Sequence, residues 1–260
     1  TVMSLKIENL GRVRKISFNR PDKLNAFDNL QFAEVRDALL QADASSEVAV
    51  VVLTGEGSAF SAGQDLYDMQ LILDGKVKKH VFPDFLRSLS DFSKPLIGAV
   101  NGLAVGIGMT LLAYCDIVFM SRDARLRTPF PQLGLAPEAG SSGLFVSQMG
   151  WQNAAYTLFS GGWISADEAL KFGYVWKLSE PSELQVEAMA LAEKISKNPI
   201  LSLVETKKLM LASGKHQLGR ECHDREIEVY RKLMGGALNN EAVDAFMKGR
   251  PVEFSGIPEF

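Results

Sequence analysis

A mixed α/β core followed by a mainly helical C-terminal region is the fold class this sequence predicts, and three observations predict it. The stretch "EVAVVVLTGEG" is a short apolar run rich in Val and closed by Gly55 and Gly57, as expected of a strand buried on both faces. "KPLIGAVNGLAVGIGMTLLAYCDIVFMS" reads as strand, glycine loop, helix and strand, an alternation that belongs to α/β architectures. After Trp151 the pattern turns mainly helical, through "NAAYTLFSG", "ISADEALKFG" and "SELQVEAMALAEKISKNP" to Lys248, with a short "YVWKLS" strand among them.

In chain order, "SLKIENL" and "VRKISFNR" alternate in places and are separated by Gly11, which predicts two strands joined by a turn. "PDKLNAFD" ends the strand signals. "NLQFAEVRDALLQADAS" then shows helical spacing, with Leu30, Val35, Leu39 and Leu40 expected on its buried face. The start is therefore β-β-α. Gly75 breaks a mixed apolar and basic stretch from Asp68 to Ser93, read as helix and mobile loop. No internal repeat or low-complexity linker divides the chain.

Composition narrows the function classes. The 260 residues are 47% hydrophobic, ample for a buried core. Their 28 basic and 31 acidic residues leave a formal charge of -3, with no dense Lys/Arg block to track a phosphate backbone, so no nucleic-acid partner is expected. No stretch approaches the roughly 20 apolar residues of a membrane span. Cys115 and Cys222 lie far apart and match no metal spacing, which suits free thiols in a reducing compartment. The opening "TVMSLKIENLGRVRKI" lacks a long apolar secretory segment, and the ending "GIPEF" lacks a peroxisomal Ser-Lys-Leu. A cytoplasmic location is the expectation. His80, His216 and His223 stand in no metal-binding context, so no metal is expected.

Two glycine-rich loops could present backbone amides to a ligand. "GSAFSAGQDL" follows a strand, and "NGLAVGIGMTLL" leads through Gly102, Gly106 and Gly108 into a helical run, where N-terminal amides favour negative charge. The second loop has neither the dinucleotide nor the P-loop spacing. A third stretch, "LGLAPEAGSSGLF", carries a single charge, Glu138, among Pro, Gly, Ala and Ser. A solvated acid is the ordinary reading of such a residue.

These three stretches, as "FSAGQDL", "NGLAVGIGMTLLAYCDIVF" and "RTPFPQLGLAPEAGSS", in that order and spacing, resemble the crotonase superfamily of enoyl-CoA hydratases and isomerases. The similarity runs from "FNRPDKLNAF" through "LFSGGWISADEALKFGYV" to "EAVDAFMKG". It implies a crotonase-like ββα spiral core over residues 1–195 and a helical C-terminal trimerisation region over 196–260, packed on a neighbouring subunit. It also implies an acyl-CoA thioester substrate, a homotrimer or dimer of trimers, and no cofactor beyond the coenzyme A of the substrate itself.

By position, the resemblance makes the amides of Gln64 and Ile107 the pair that holds the thioester oxygen. Hydratases of the superfamily use two glutamates whose positions here are Thr110 and Phe130, so the ordinary hydration chemistry lacks both groups. Glu138 instead matches the glutamate of peroxisomal-type delta-3,delta-2-enoyl-CoA isomerases, with "TPFPQLGLAPEAG" close to their local pattern although Ala139 stands where they often have Gly. The implied activity is an isomerase that moves a 3,4 double bond to the 2,3 position, Glu138 shuttling the proton. A hydratase, an acyl-CoA hydrolase, a decarboxylase-like relative and a noncatalytic acyl-CoA binder are the alternatives.

The resemblance further assigns substrate contacts to Lys23, Leu24 and Ala26, to Ala62, Asp65 and Leu66 along the first loop, and to Gly106 in the second. Phe130 and Leu133 would form an apolar wall, and Phe246 and Lys248 match positions that often reach a neighbour's coenzyme A. Asp65 reads as a helix N-cap rather than a second acid. Asp116, Ser141 and Ser142 read as structural, and His80, Lys78 and Lys79 as solvated groups.

Overall fold

Leu5–Leu10 (β1) and Val13–Phe18 (β2) pair antiparallel across the Gly11 turn, with Leu5 opposite Phe18. In the computed structural model, residues 4–76 and 80–258 are described, apart from the side chains of Leu73 and His216. Lys78 and Lys79 lie outside the described residues. Helix α1 (Asn29–Ala44) starts at Asp28, whose carboxylate accepts from Gln31 N at 2.8 Å. Its buried stripe is Phe32, Val35, Ala38, Leu39 and Ala42, a 3.6-residue period. Leu30 and Leu40 correct the sequence expectation, being 56% and 54% exposed. Each sits roughly 140° around the helix from the centre of that stripe, and phenylalanine and alanine fill the buried face.

From here the chain repeats one manoeuvre. β3 (Val50–Gly55) and β4 (Ala59–Ser61) precede α2 (Leu66–Leu73) and α3 (Phe82–Ser90). β5 (Leu96–Val100) and β6 (Leu103–Val105) precede the single turn α4 (Ile107–Thr110). β7 (Ile117–Ser121) and β8 (Arg125–Arg127) precede α5 (Ser141–Met149) and α6 (Trp151–Ser160). β9 (Trp163–Ser165), α7 (Ala166–Lys171) and β10 (Lys177–Ser179) follow. In each pair the first strand joins a six-stranded sheet of order β1-β2-β3-β5-β7-β10, and the second joins a four-stranded sheet of order β4-β6-β8-β9. A chain that alternates between two sheets in this way is a ββα spiral. From Asp68 to Ser93 the described residues hold α2 and α3; the rest of the expected loop, 77–79, lies outside the description.

Burial explains the long strands. In β3, Val50 and Val52 face α8 (Leu184–Ser196) through Leu184, Ala188 and Ala192, while Val51 and Leu53 face the main core. Both faces are covered, so the strand reads as a continuous apolar run, each fully buried side chain contributing about 1.5–3 kcal/mol. Beyond α8 lie α9 (Ile200–Leu211), α10 (Lys215–Leu233) and α11 (Ala237–Met247). α10 packs on α5 of its own chain, and α11 on the turn Pro131–Leu133. No helix among the described residues is long and apolar enough to cross a membrane.

Candidate active site

The first glycine loop is fixed from beneath. Phe27 is fully buried in an aromatic cluster, 4.9 Å from both the Phe18 and Phe32 rings. Its backbone donates to Gly63 O at 2.7 Å and accepts from Asp65 N at 2.8 Å. Gln64 N lies between these two bonded groups, and no acceptor among the described residues takes its hydrogen. Ile107 N is in the same condition, because it opens α4 and the first amides of a helix have no partner within it.

Close backbone contact brings the two loops together. Gly63 has φ +95°, and a Cβ there would lie 2.8 Å from the Val105 carbonyl oxygen. On Gly108 a Cβ would lie 2.6 Å from the Ser61 carbonyl oxygen. Glycine is therefore a packing requirement where β4 and β6 run side by side.

Above the loops opens a cavity of about 600 Å³. Lys23, Ala26, Ala62, Gln64, Asp65, Leu66, Gly106, Ile107, Phe130, Leu133, Glu138 and Phe246 all line it. Two expected contacts do not. Leu24 takes a left-handed conformation, φ +50°, closing the turn Pro21–Lys23, and this leaves its side chain in solvent. Lys248 is exposed and pairs with Asp244, one helical turn back, at 2.8 Å. Phe246 reaches the cavity of its own chain.

Glu138 is only partly accessible and lines both this cavity and an adjoining one of about 260 Å³. Among the described residues its carboxylate has no hydrogen-bond or ion-pair partner. Burial, and then the charge of Glu226, push its pKa up to about 8. The other carboxylate on the larger cavity is engaged: Asp65 caps α2 through Tyr67 N and pairs with Arg20 at 3.1 Å. Asp116 accepts from Leu96 N and Lys207 Nζ, both at 2.8 Å, and Ser141 Oγ donates to Glu138 O at 2.6 Å, which are structural duties.

The sequence model of the enoyl-CoA hydratase/isomerase family matches residues 8–257. The chain belongs to this family. It is 30% identical to 1,2-epoxyphenylacetyl-CoA isomerase of Escherichia coli (strain K12), over 94% of this chain and 95% of that protein. It is 34% identical to enoyl-CoA delta isomerase 2 of Rattus norvegicus, over 91% of this chain but 61% of that protein's length. An enoyl-CoA hydratase/isomerase structure from Pseudoalteromonas atlantica T6c superposes with TM-score 0.90 at 31% identity, covering 97% of this chain and 100% of the other. Hydratases of similar identity stand beside the isomerases. Members of the family act on acyl-CoA thioesters, and the crotonase-like spiral expected from the sequence is the fold observed.

Within this family setting, the two positions matched to hydratase glutamates are uncharged. Thr110 is fully buried, and Phe130 is 5% exposed on the cavity wall. Several lining residues escaped sequence reasoning. Arg127 donates to Gly161 O at 2.8 Å and lies 5.4 Å from the Trp163 ring centroid; both side chains line the cavity. Tyr230 of α10 lines both cavities and Arg250 the larger, the latter gripped by Glu241 and Asp244. The "RLR" and "GGW" stretches hold a basic-aromatic signal that could have identified the Arg127–Trp163 pair. His80 and His223 line the smaller cavity, and no three His, Cys, Asp or Glu side chains among the described residues group as a metal site.

Proposed function

We propose that this chain is an enoyl-CoA isomerase that moves a double bond from the 3,4 to the 2,3 position of an acyl-CoA. The amides of Gln64 and Ile107 hold the thioester oxygen as it gains enolate charge, and Glu138 removes a proton from C2 and returns one to C4. One observation carries this reading: a carboxylate and two backbone amides, none of them with a hydrogen-bond partner among the described residues, share one cavity. The enoyl-CoA delta isomerases among the relatives agree with it.

The energetics are of the right size. Each preorganised amide aimed at an oxyanion is worth about 2.7–4 kcal/mol. A carboxylate with pKa about 8 is also a much stronger base than one at the ordinary 4.5. Phe130, Leu133 and Leu135 form an apolar wall on the cavity, which disfavours addition of water to the intermediate. Pantetheine would run along Lys23, Ala26, Ala62 and Leu66. One proton leaves C2 and one is returned at C4, on the far side of C3, and these two transfers complete the reaction, so its chemistry asks for no metal or redox group.

The decisive assay follows conversion of 3-enoyl-CoA to 2-enoyl-CoA by the wild type and Glu138→Gln. The substitution is expected to lower kcat by about 10²–10⁴-fold, the range for loss of a general base. Equal rates would remove Glu138 from the mechanism, and water incorporation into the product would favour a hydratase. Because the base must be ionised, wild-type kcat/KM should rise with pH until about 8 and then level.

The same reading extends to assembly. Trp151, Tyr156 and Phe159 of α6 and Leu201, Leu209 and Met210 of α9 are half or more exposed, and these large apolar side chains suit burial in a homotrimer or dimer of trimers in which 196–260 contributes contacts. Light scattering should return three or six times 28.5 kDa; a monomer would refute the assembly and leave the chemistry standing.

A further inference from the structure

Glu138 stands on a turn whose backbone is unfavourable by itself. Ala139 has φ +59° and Gly140 φ +73°, so two successive residues are left-handed, and the first carries a Cβ. Such a residue costs on the order of 1 kcal/mol and persists where its surroundings over-determine it. Three side chains hold this turn. Tyr114 Oη donates to Ala139 O at 2.7 Å, and Ser141 Oγ to Glu138 O at 2.6 Å. The third is Glu226 of α10, 6% exposed, whose Oε2 accepts from Gly140 N at 2.6 Å and whose Oε1 accepts from Ser142 N at 2.9 Å.

One face of α10 is shaped for this contact. Gly219, Cys222, Glu226 and Tyr230 succeed one another at intervals of three, four and four, the spacing of a helical stripe. A Cβ on Gly140 would lie 2.6 Å from Gly219 O, and one on Gly143 2.4 Å from Cys222 Sγ, so the turn rests directly on the helix. Farther along the stripe, Tyr230 lines the cavities beside Glu138. Both oxygens of Glu226 are spent on amides at the start of α5, where the helix dipole also favours an anion. No lysine, arginine or histidine among the described residues forms an ion pair with it.

We infer that Glu226 is the positioning residue for Glu138: by accepting the amides of Gly140 and Ser142 it holds the turn that sets the Glu138 carboxylate in the cavity, and it keeps a second negative charge close by. The inference rests on Glu138 being the base. Its structural half stands independently of that reading. Other charged or titratable groups around Glu138 are fewer in role. On α10, His223 and Tyr230 line the smaller cavity, and Arg231 is exposed at its edge; His80 precedes α3, Tyr114 lies beneath the turn, and Asp65 is held by Arg20. Burial first, and then the charge of Glu226, raise the pKa of Glu138.

The test is Glu226→Gln, nearly isosteric and uncharged, beside Glu226→Asp, charged but shorter. Carbon-13 NMR of the glutamate carboxyls, assigned with Glu138→Gln, reads the Glu138 titration directly. In Glu226→Gln it should move about one pH unit lower, because a like charge is gone. The rising limb of kcat/KM should move with it, and kcat should fall about tenfold as the base weakens and its aim loosens. The KM should stay within about twofold, since neither amide holding the thioester changes. In Glu226→Asp the charge stays and the reach shortens, so kcat should fall with the titration near its wild-type position. An unmoved titration and unchanged kcat in a folded Glu226→Gln would overturn the inference. Should Glu226→Gln not fold, Glu226→Asp decides alone: full activity there overturns the role. A fully active Glu138→Gln would instead defeat the base assignment, while a shifted NMR titration in Glu226→Gln would still uphold the electrostatic coupling of Glu226 to Glu138.

Discussion

The two sheets of this molecule divide its labour unequally. The six-stranded sheet consists largely of five- and six-residue strands, and β3 at its heart is sealed on both faces. Every strand of the four-stranded sheet has three residues, yet β4 and β6 end in the loops that carry Gln64 and Ile107. One sheet supplies cohesion through buried area. The other supplies placement, through glycines that let backbones approach within the radius of a methyl group. Fold and site thus answer to different forces, and substitutions should separate them.

The largest effect is expected from the cohesive sheet. Leu53→Ala empties a fully buried site and should cost about 2–5 kcal/mol of unfolding free energy, read by denaturant titration. Activity per folded molecule should stay within about threefold. A selective fall in kcat would mean that the long sheet also governs placement.

A nearby magnitude is expected at Glu138, the proposed base, from linkage. Glu138 has a folded pKa of about 8 against 4.5 for the free side chain, so the folded state holds a proton that the unfolded state releases. That contribution is fully present below about pH 4.5 and is lost as pH rises through about 8. Glu138→Gln, which never ionises, should match the wild type near pH 4.5 and exceed it at pH 9. The gain should be about 2–4 kcal/mol, below the full linkage value because water in the cavity screens the carboxylate. Equal melting at both pH values would mean that the carboxylate is solvated in the native state.

At the placing sheet, Gly63→Ala should act on chemistry first. Its Cβ would press against the Val105 carbonyl in a left-handed conformation, so the loops must part and the two amides lose their common aim. A misplacement near 1 Å lowers rates by about 100-fold, or about 2.7 kcal/mol at the transition state. Wild-type kcat/KM in a folded Gly63→Ala would break the contrast between the sheets.

The same contrast decides what could be read from the sequence. β1, β2, β3 and β5, with α1 and α8, announce themselves because each is long enough to show a period or an unbroken apolar run. β4, β6, β8 and β9 are too short for any period, and three of them pass for pieces of glycine loop or strand flank. Helical spacing places Val35 and Leu39 correctly but not Leu30 and Leu40, because the face it defines is completed by Phe32, Ala38 and Ala42. The motifs pointed to Gln64, Ile107 and Glu138, and the structure brings these three to one cavity, while much of the rest of the wall, Arg127, Trp163, Tyr230 and Arg250 among it, carried no motif. Glu226 was invisible for a different reason: α10 reads "KHQLGRECHDREIEVYRKL", in which one acid is masked by other charges. Only its phase with Gly219, Cys222 and Tyr230 distinguishes it, and phase acquires meaning once the packing partner is known.

The smallest expected effect tests how far placement extends along the short sheet. Ser165 ends β9 and caps α7: its hydroxyl accepts from Glu168 N at 3.3 Å, while the Glu168 carboxylate accepts from Ser165 N at 2.8 Å. Trp163, two residues earlier on the same strand, lines the cavity. Ser165→Ala removes one side of this reciprocal cap and should cost about 1 kcal/mol of stability. Yet Trp163 is held by pairing to Arg127 in the ladder and by the guanidinium of Arg125 at 4.8 Å from its ring, neither of which involves the serine hydroxyl. So kcat/KM should change by less than about twofold, within the effect of a surface cap. A larger loss of activity, at unchanged folding, would show that the placing role reaches the outer edge of the sheet and is not confined to the glycine contacts between β4 and β6.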